Sequence, residues 1–185
     1  MLYEVRWHGR GGQGVVTAAL LFAEAALEEG LYALAIPFFG AERRGAPVVA
    51  FNRVSDKVIR MRSAVTSPDA VAVLDPSLFS LLDVSSGLKA DGLMLVNSPE
   101  PPPSLPKNVK IACVNATEIA LGENLVLAGY PLINMPMVGA LAKVTGLVRL
   151  ESLEKAVFKL WRGEIAEKNW KGVKRGYDEV KLCQK

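Results

Sequence analysis

Leu2-Tyr3-Glu4-Val5-Arg6-Trp7-His8-Gly9-Arg10-Gly11-Gly12-Gln13-Gly14-Val15-Val16-Thr17-Ala18-Ala19 carries the strand, glycine loop and helix from which the fold class follows. Leu2 to Trp7 is short and apolar-rich, as a strand is, and it ends at Gly9. From about Gly14 to Glu29, Val16, Leu20, Ala23 and Leu27 recur at helical spacing, and Gly30 stands where a C-terminal cap belongs. The pattern Gly9-x-Gly11-Gly12-x-Gly14 therefore closes a strand and opens a helix, the context in which such a pattern carries meaning. Glycine lets the backbone turn sharply and lets a ligand approach main-chain N–H groups with no Cβ in the way. The helix N-terminus then offers unpaired donors and a partial positive charge to a phosphate. Gly9, Arg10, Gly11, Gly12, Gln13 and Gly14 are thus candidate ligand contacts. Arg10 would add a charge-assisted bond, Gln13 a donor and an acceptor at the rim, and Thr17 a hydroxyl one turn into the helix. The competing reading is a tight strand-to-helix turn that holds no ligand.

Working outward, Tyr32 to Phe38 reads as a second strand running into the turn-rich stretch Gly40 to Pro47. Val48 to Val54 and Val58 to Arg62 read as a hairpin across Ser55-Asp56-Lys57, with Ile59 and Met61 alternating with Arg60 and Arg62. Ala70 to Leu74 is a buried strand ending in Asp75-Pro76, and a helix is predicted from Ser77 to Leu88. Leu93 to Val96 and Val109 to Val114 are further strands, separated by a proline-rich excursion from Ser98 to Pro106. From Thr117 onward the chain is mainly helical, with Met137 to Val144 packing on the sheet and Leu150, Leu153, Val157, Leu160 and Trp161 sharing one stripe. The segment from Glu164 mixes charge with Trp170 and Tyr177, as a helix or a partner-binding tail would. This alternation implies an α/β fold: a Rossmann-like, mostly parallel sheet with helices on both faces and a β-hairpin insertion. One domain over residues 1–162 and a charged helical extension over 163–185 are expected.

The composition is that of a globular domain, with 185 residues, 50% hydrophobic and 22% charged. A net charge of +3 does not point to nucleic acid. Locally, Arg43, Arg44, Arg53, Lys57, Arg60 and Arg62 outnumber Glu42 and Asp56, which makes this segment a candidate anion-facing surface. The N-terminus reads as a strand rather than a targeting segment, and no apolar run reaches the ~20 residues that span a bilayer, so a cytoplasmic, non-membrane protein is expected. Cys113 and Cys183 belong to no Cys-x-x-Cys pair, and with His8 as the single histidine they cannot complete an iron–sulfur or zinc site. No carboxylate stands in Ala33 to Phe39, where a dinucleotide site needs its ribose-binding acid, and no Gly-Lys-Ser/Thr follows the loop. Phosphate binding without NAD recognition and without nucleotide hydrolysis is the reading that remains. No catalytic set and no metal site emerges. His8 reads as structural or as a ligand-orienting group, and Asp75 as a helix-starting or a functional residue.

At this point the chain resembles a known family. Trp7 to Ala19 is similar to the opening signature of the gamma subunits of pyruvate:ferredoxin oxidoreductase, within the wider 2-oxoacid:ferredoxin oxidoreductase family. Phe39-Gly40-Ala41-Glu42-Arg43-Arg44-Gly45-Ala46-Pro47, Ser67-Pro68-Asp69-Ala70, Val114-Asn115-Ala116-Thr117 and Asn134-Met135-Pro136-Met137-Val138-Gly139-Ala140 match in order. The resemblance implies a subunit, inactive alone, of an enzyme that decarboxylates pyruvate oxidatively to acetyl-CoA and passes electrons to ferredoxin. It implies coenzyme A at or near this chain, held by the glycine loop with Arg10, Arg43 and Arg44. Thiamine diphosphate, magnesium and 4Fe–4S clusters are then expected on partner subunits of alpha, beta and delta type. The equivalent subunit of a 2-oxoglutarate, branched-chain 2-oxoacid or indolepyruvate enzyme is the alternative within the family. Outside it stand a free dinucleotide-binding oxidoreductase, against which the missing acid speaks, and a non-catalytic interaction module with a purely structural glycine loop.

Overall fold

The computed structural model describes residues 1–38, 45–103 and 108–183. Its strands are β1 (Leu2–Arg10), β2 (Tyr32–Phe38), β3 (Pro47–Ser55), β4 (Ala70–Val73), β5 (Leu93–Asn97), β6 (Lys110–Val114), β7 (Val126–Leu127), β8 (Tyr130–Pro131) and β9 (Lys181–Leu182). The helices are α1 (Val15–Glu28), α2 (Ala116–Gly122), α3 (Asn134–Thr145), α4 (Leu150–Leu160) and α5 (Gly163–Glu179), with a 3-10 turn at Pro76–Ser80. Seven strands form the main sheet in the order β2-β3-β1-β4-β5-β6-β9. β1, β4, β5 and β6 are parallel neighbours, while β3 and β9 run against them. β2 is antiparallel to β3 and so shares the direction of β1, which gives the mostly parallel α/β sheet anticipated above.

All five α-helices contribute to one core on one face of the sheet, against Val5, Trp7, Ala50, Ala72 and Leu95. Trp7 is tied into it by hydrogen bonds. Its indole Nε1 donates to Asn52 Oδ1 at 2.7 Å, and Asn52 Nδ2 donates to the carbonyls of Ala19 (2.8 Å) and Leu34 (3.1 Å). A single fully buried amide thus joins β1, β3, α1 and β2, with no polar group of that cluster left orphaned in the core. Val71, Val73, Met94 and Val96 face the other way and are covered by Leu78, Val84 and the half-buried Phe79, Leu82 and Leu88.

The covering of that second face corrects the predicted helix over Ser77–Leu88, which shrinks to the 3-10 turn. The cause is Arg6 on β1. Its guanidinium Nη2 donates to the carbonyls of Val84 (3.1 Å) and Ser86 (2.5 Å) and holds the segment in a non-helical course. Gly87 adds φ +71°, where a Cβ would overlap the Thr66 carbonyl. The expected helices on both faces are therefore α-helices on one and this turn with its loop on the other.

The predicted hairpin is likewise rearranged. β3 pairs with β1 and with β2, Tyr32 opposite Ser55 and Phe38 opposite Val49, so both its edges are occupied. Residues 58–62 are not a strand. Arg53 holds that segment instead, donating to the carbonyls of Met61 (3.2 Å) and Ser63 (2.8 Å) while its Nε pairs with Glu4 at 2.7 Å. On α1 the apolar stripe read from Val16, Leu20, Ala23 and Leu27 holds only in part: Ala23 is buried and Val16 packs against the core, but Leu20 and Leu27 are about half exposed. The buried face is Val15, Ala18, Ala19, Phe22, Ala25 and Ala26, whose alanines let the helix lie close on the sheet. Because α1 is apolar nearly all round, spacing alone could not choose between its faces.

α3 is buried along residues 134–142, held between the sheet and α5. The segment from Glu164 is thus an ordered helix packed on the core. Cβ atoms at Gly139 and Gly176 would overlap the carbonyls of Val173 and Pro136, so the two helices approach to backbone contact.

Candidate functional site

β1 feeds α1 on the helical face, whereas β4 feeds the 3-10 turn on the opposite face. Between their carboxyl ends lies the point where connections diverge, the usual place for a ligand in an open α/β sheet. The glycine loop forms one wall of this crevice and Asp75 the other, with Leu74 N donating to His8 O at 2.8 Å between them. Gly9 must be glycine here. A Cβ would lie 3.1 Å from Gln13 Oε1 and 3.3 Å from Leu74 Cβ, and within 2.5 Å of Val15 Cγ2.

Gly12 (φ +95°) and Gly14 (φ +74°) are both left-handed, which turns successive N–H groups toward one side and makes an anion-binding concavity. Gly14 is the N-cap of α1, and no side chain caps the helix. The first helical bond runs from Ala18 N to Gly14 O at 2.8 Å. Among the described residues no hydrogen bond uses the N–H of Gly12, Gly14, Val15, Val16 or Thr17. The first turn carries no acidic residue, and nothing lies within 4 Å of a Cβ placed on Gly12. The result is an open cradle of unpartnered donors at a positive helix end, able to take phosphate oxygens.

The remaining sequence candidates divide by role. Arg10 does not project into the cradle as a free cation. Its Nε donates to Asp75 Oδ2 (2.9 Å), Nη1 to Gly45 O (3.0 Å) and Nη2 to Ser77 Oγ (2.7 Å). Gln13 is similarly committed, accepting from Arg10 N at 2.8 Å and donating to Asp75 Oδ2 at 3.2 Å. Asp75 gathers these bonds and also caps the 3-10 turn through Ser77 N at 2.9 Å. Burial acts to raise its pKa, but the bonds from Ser77 and the Arg10 charge outweigh it and hold the carboxyl below its ordinary range. Thr17 is half-buried one turn into α1. Arg43 and Arg44 lie outside the described residues. The chain re-enters at Gly45, whose N–H donates to Gly11 O at 3.2 Å while Gly11 N donates to Ala46 O at 2.9 Å.

His8 faces away from the cradle. Its Nε2 accepts from Arg6 Nε at 2.9 Å, and burial, reinforced by the Arg6 charge, pushes its pKa down to about 4. It is a neutral structural imidazole. Asn134 is the residue that sequence spacing could not bring to the site, although it opens one of the matched motifs. Its side chain abuts Gly14, with Cγ 2.7 Å from where a Cβ would stand, and its Oδ1 is buried without a partner. Among the described residues no group of three His, Cys, Asp or Glu side chains is placed to hold a metal, and no helix is long and apolar enough to cross a membrane.

Against this geometry, residues 4–179 match the family described as pyruvate ferredoxin/flavodoxin oxidoreductase. The chain is 47% identical over 188 residues to the pyruvate/ketoisovalerate oxidoreductases common subunit gamma of Pyrococcus abyssi, covering 99% of this chain and 100% of that one. It is 49% identical over 180 residues to the pyruvate synthase subunit PorC of Methanothermobacter marburgensis, covering 97% and 98%. The crystal structure of the pyruvate oxidoreductase subunit PORC (EC 1.2.7.1) of Thermotoga maritima superposes with a TM-score of 0.84 at 42% identity over 99% of both chains. A 2-oxoglutarate:ferredoxin oxidoreductase from Magnetococcus marinus, solved with 2-oxoglutarate, coenzyme A and succinyl-CoA, shares the fold at TM-score 0.78 and 18% identity, over 96% of this chain and 30% of that one.

Proposed function

The chain belongs to the pyruvate ferredoxin/flavodoxin oxidoreductase family, and from that premise we propose that it is the gamma subunit of a multi-subunit pyruvate:ferredoxin oxidoreductase. In that enzyme pyruvate loses carbon dioxide, its acetyl group passes to the thiol of coenzyme A, and the electrons released go to ferredoxin. This chain contributes the coenzyme A cradle and part of the assembly surface. Thiamine diphosphate, magnesium and the 4Fe–4S clusters reside on alpha-, beta- and delta-type partners, consistent with only two cysteines here. The complex works in the cytoplasm.

The observation that carries the coenzyme A reading is the set of N–H groups of Gly12, Gly14, Val15, Val16 and Thr17 at the α1 N-terminus, unpartnered among the described residues. A polyphosphate ligand satisfies such donors. Arg43 and Arg44 immediately precede Gly45, which is bonded to the loop, and they supply the charge that Arg10 gives instead to Asp75. Assembly is supported by the large apolar side chains left exposed on α1 and β2: Leu20, Leu27, Tyr32 and Phe38.

The test is purification of the native complex and assay of a 2-oxoacid panel with coenzyme A and ferredoxin. Pyruvate is expected to be the preferred substrate, and replacing Arg43 and Arg44 by alanine is expected to raise the KM for coenzyme A. An unchanged KM would remove those arginines from the site, and activity of this chain alone would overturn the subunit reading. The likeness to the Pyrococcus abyssi gamma subunit, which is common to pyruvate and ketoisovalerate oxidoreductases, favours a second reading. On that reading one gamma chain serves two enzymes, and partner subunits choose the 2-oxoacid.

A further inference from the structure

A cavity of about 510 Å³ opens between the 3-10 turn Pro76–Ser80 and the proline-rich segment that follows β5. That volume falls within the about 300–1,000 Å³ typical of small-ligand sites. Its walls are the faces of Pro76, Phe79, Pro99, Pro101 and Pro102. The hydroxyl hydrogens around it are already spent. Ser77 Oγ donates to Asp75 Oδ1 (2.6 Å), Ser80 Oγ to Ser77 O (2.8 Å) and Ser98 Oγ to Glu100 O (2.5 Å). The cavity therefore offers flat apolar surface rather than donors.

It adjoins the glycine-loop cluster through one shared residue. Ser77, which lines the cavity, accepts from Arg10 Nη2 at 2.7 Å, and Arg10 belongs to the loop itself. Glu100 stands in the wall and repels a phosphate, yet its carboxylate accepts from an amino group. A molecule with phosphates on the cradle would thus place in this cavity a flat ring that is weakly polar and carries an amine. Resting on the coenzyme A reading above, we propose that the cavity between Phe79 and the prolines 99, 101 and 102 holds the adenine ring of coenzyme A. The short ribose link joins adenine to the phosphates, while the pantetheine arm leaves on the other side of the cradle toward the partner subunits. Phe79 supplies the stacking plane, which is tolerant of ring edge chemistry and depends on an aromatic face.

The experiment compares two acyl acceptors in the assembled enzyme: coenzyme A, and 4′-phosphopantetheine, which lacks the 3′-phosphorylated AMP half and keeps one phosphate. Phe79→Ala is expected to raise the KM for coenzyme A about tenfold, in the range of a lost base–aromatic stack, and to leave the KM for 4′-phosphopantetheine and both kcat values unchanged. Because Phe79 also packs under the turn, Phe79→Leu is run beside it. It keeps apolar volume but no ring, and the same split is expected. Equal changes with both acceptors, or none with coenzyme A, would overturn the proposal. So would loss of subunit assembly in Phe79→Leu, which would give the cavity to a partner side chain. Gly12→Val separates the two levels. If it raises the KM for coenzyme A while Phe79 variants do not, only the adenine assignment falls. If neither does, coenzyme A is not held on this chain.

Discussion

Arg10 Nε lies 2.9 Å from Asp75 Oδ2, and this pair ties the end of β1 to the end of β4 across the mouth of the crevice. Asp75 also accepts from Gln13 and caps the 3-10 turn, so the glycine loop and the opposite wall are fixed by one carboxylate. Asp75→Asn keeps the shape and removes the charge. It is expected to cost about 1.5–3 kcal/mol in urea unfolding, as for hydrogen bonds to a charged group. The folded pKa is depressed, so the carboxylate stabilises above the ordinary carboxyl pKa and loses that contribution as pH falls through its lowered value. The difference between wild type and variant should therefore vanish in acid. A difference that persists there would mean that packing, and not charge, holds the wall.

Gly14 and Asn134 make a second coupled pair. Gly14→Ala must accept φ +74° and also meet the Asn134 amide, whereas Gly12→Ala meets nothing within 4 Å at φ +95°. Gly12→Ala is expected to cost about 1 kcal/mol, the strain of a left-handed alanine. Gly14→Ala should cost at least about 2 kcal/mol more. Adding Asn134→Ala should recover part of that loss, giving a coupling of at least about 0.5 kcal/mol in a double-mutant cycle. Strict additivity would show that the two side chains do not compete for the same space.

His8 predicts a pH dependence of stability. Its pKa falls from 6.5 to about 4 on folding, so between those values the unfolded chain binds the proton and the folded chain does not. Stability therefore rises with pH across that window and is lost as pH falls from about 6.5 to 4, by up to roughly 3 kcal/mol at about 1.4 kcal/mol per unit. His8→Gln retains an acceptor for Arg6 Nε and should flatten the profile in thermal unfolding scans. An unaltered slope between pH 4 and 6.5 would assign it to other groups.

The α3–α5 contact predicts that the C-terminal helix is part of the folding unit. Gly176→Ala would press a methyl group into the Pro136 carbonyl and should cost about 1–3 kcal/mol by overpacking. Limited proteolysis should then cut first within or just before α5. Unchanged melting and cleavage would contradict the close approach.

Local signals were enough for β1, the glycine loop and α1, because strand, glycines and helix follow each other within Leu2–Glu28 and each is stabilised by near neighbours. The buried strands β4, β5 and β6 were equally legible as short aliphatic runs. Residues 58–62 and 77–88 were not, since their backbone carbonyls are claimed by Arg53 and Arg6 from distant strands. Cys113 and Cys183, far apart in sequence, become neighbours across the β6–β9 pair. Burial first, and then contact with Cys183, pushes the Cys113 thiol up to about 12.

Residue types and their spacing were enough to place a glycine cradle between a strand and a helix, without a ribose acid, a Walker lysine or enough cysteines for a cluster. Those are properties of residue type and spacing along the chain. It took the folded chain to show that Arg10 bonds Asp75, that Asn134 sits against Gly14, and that a proline-walled cavity adjoins the loop. Each depends on sheet order, which places the ends of β1, β4 and β5 side by side, and that order is set by long-range packing rather than by any local signal.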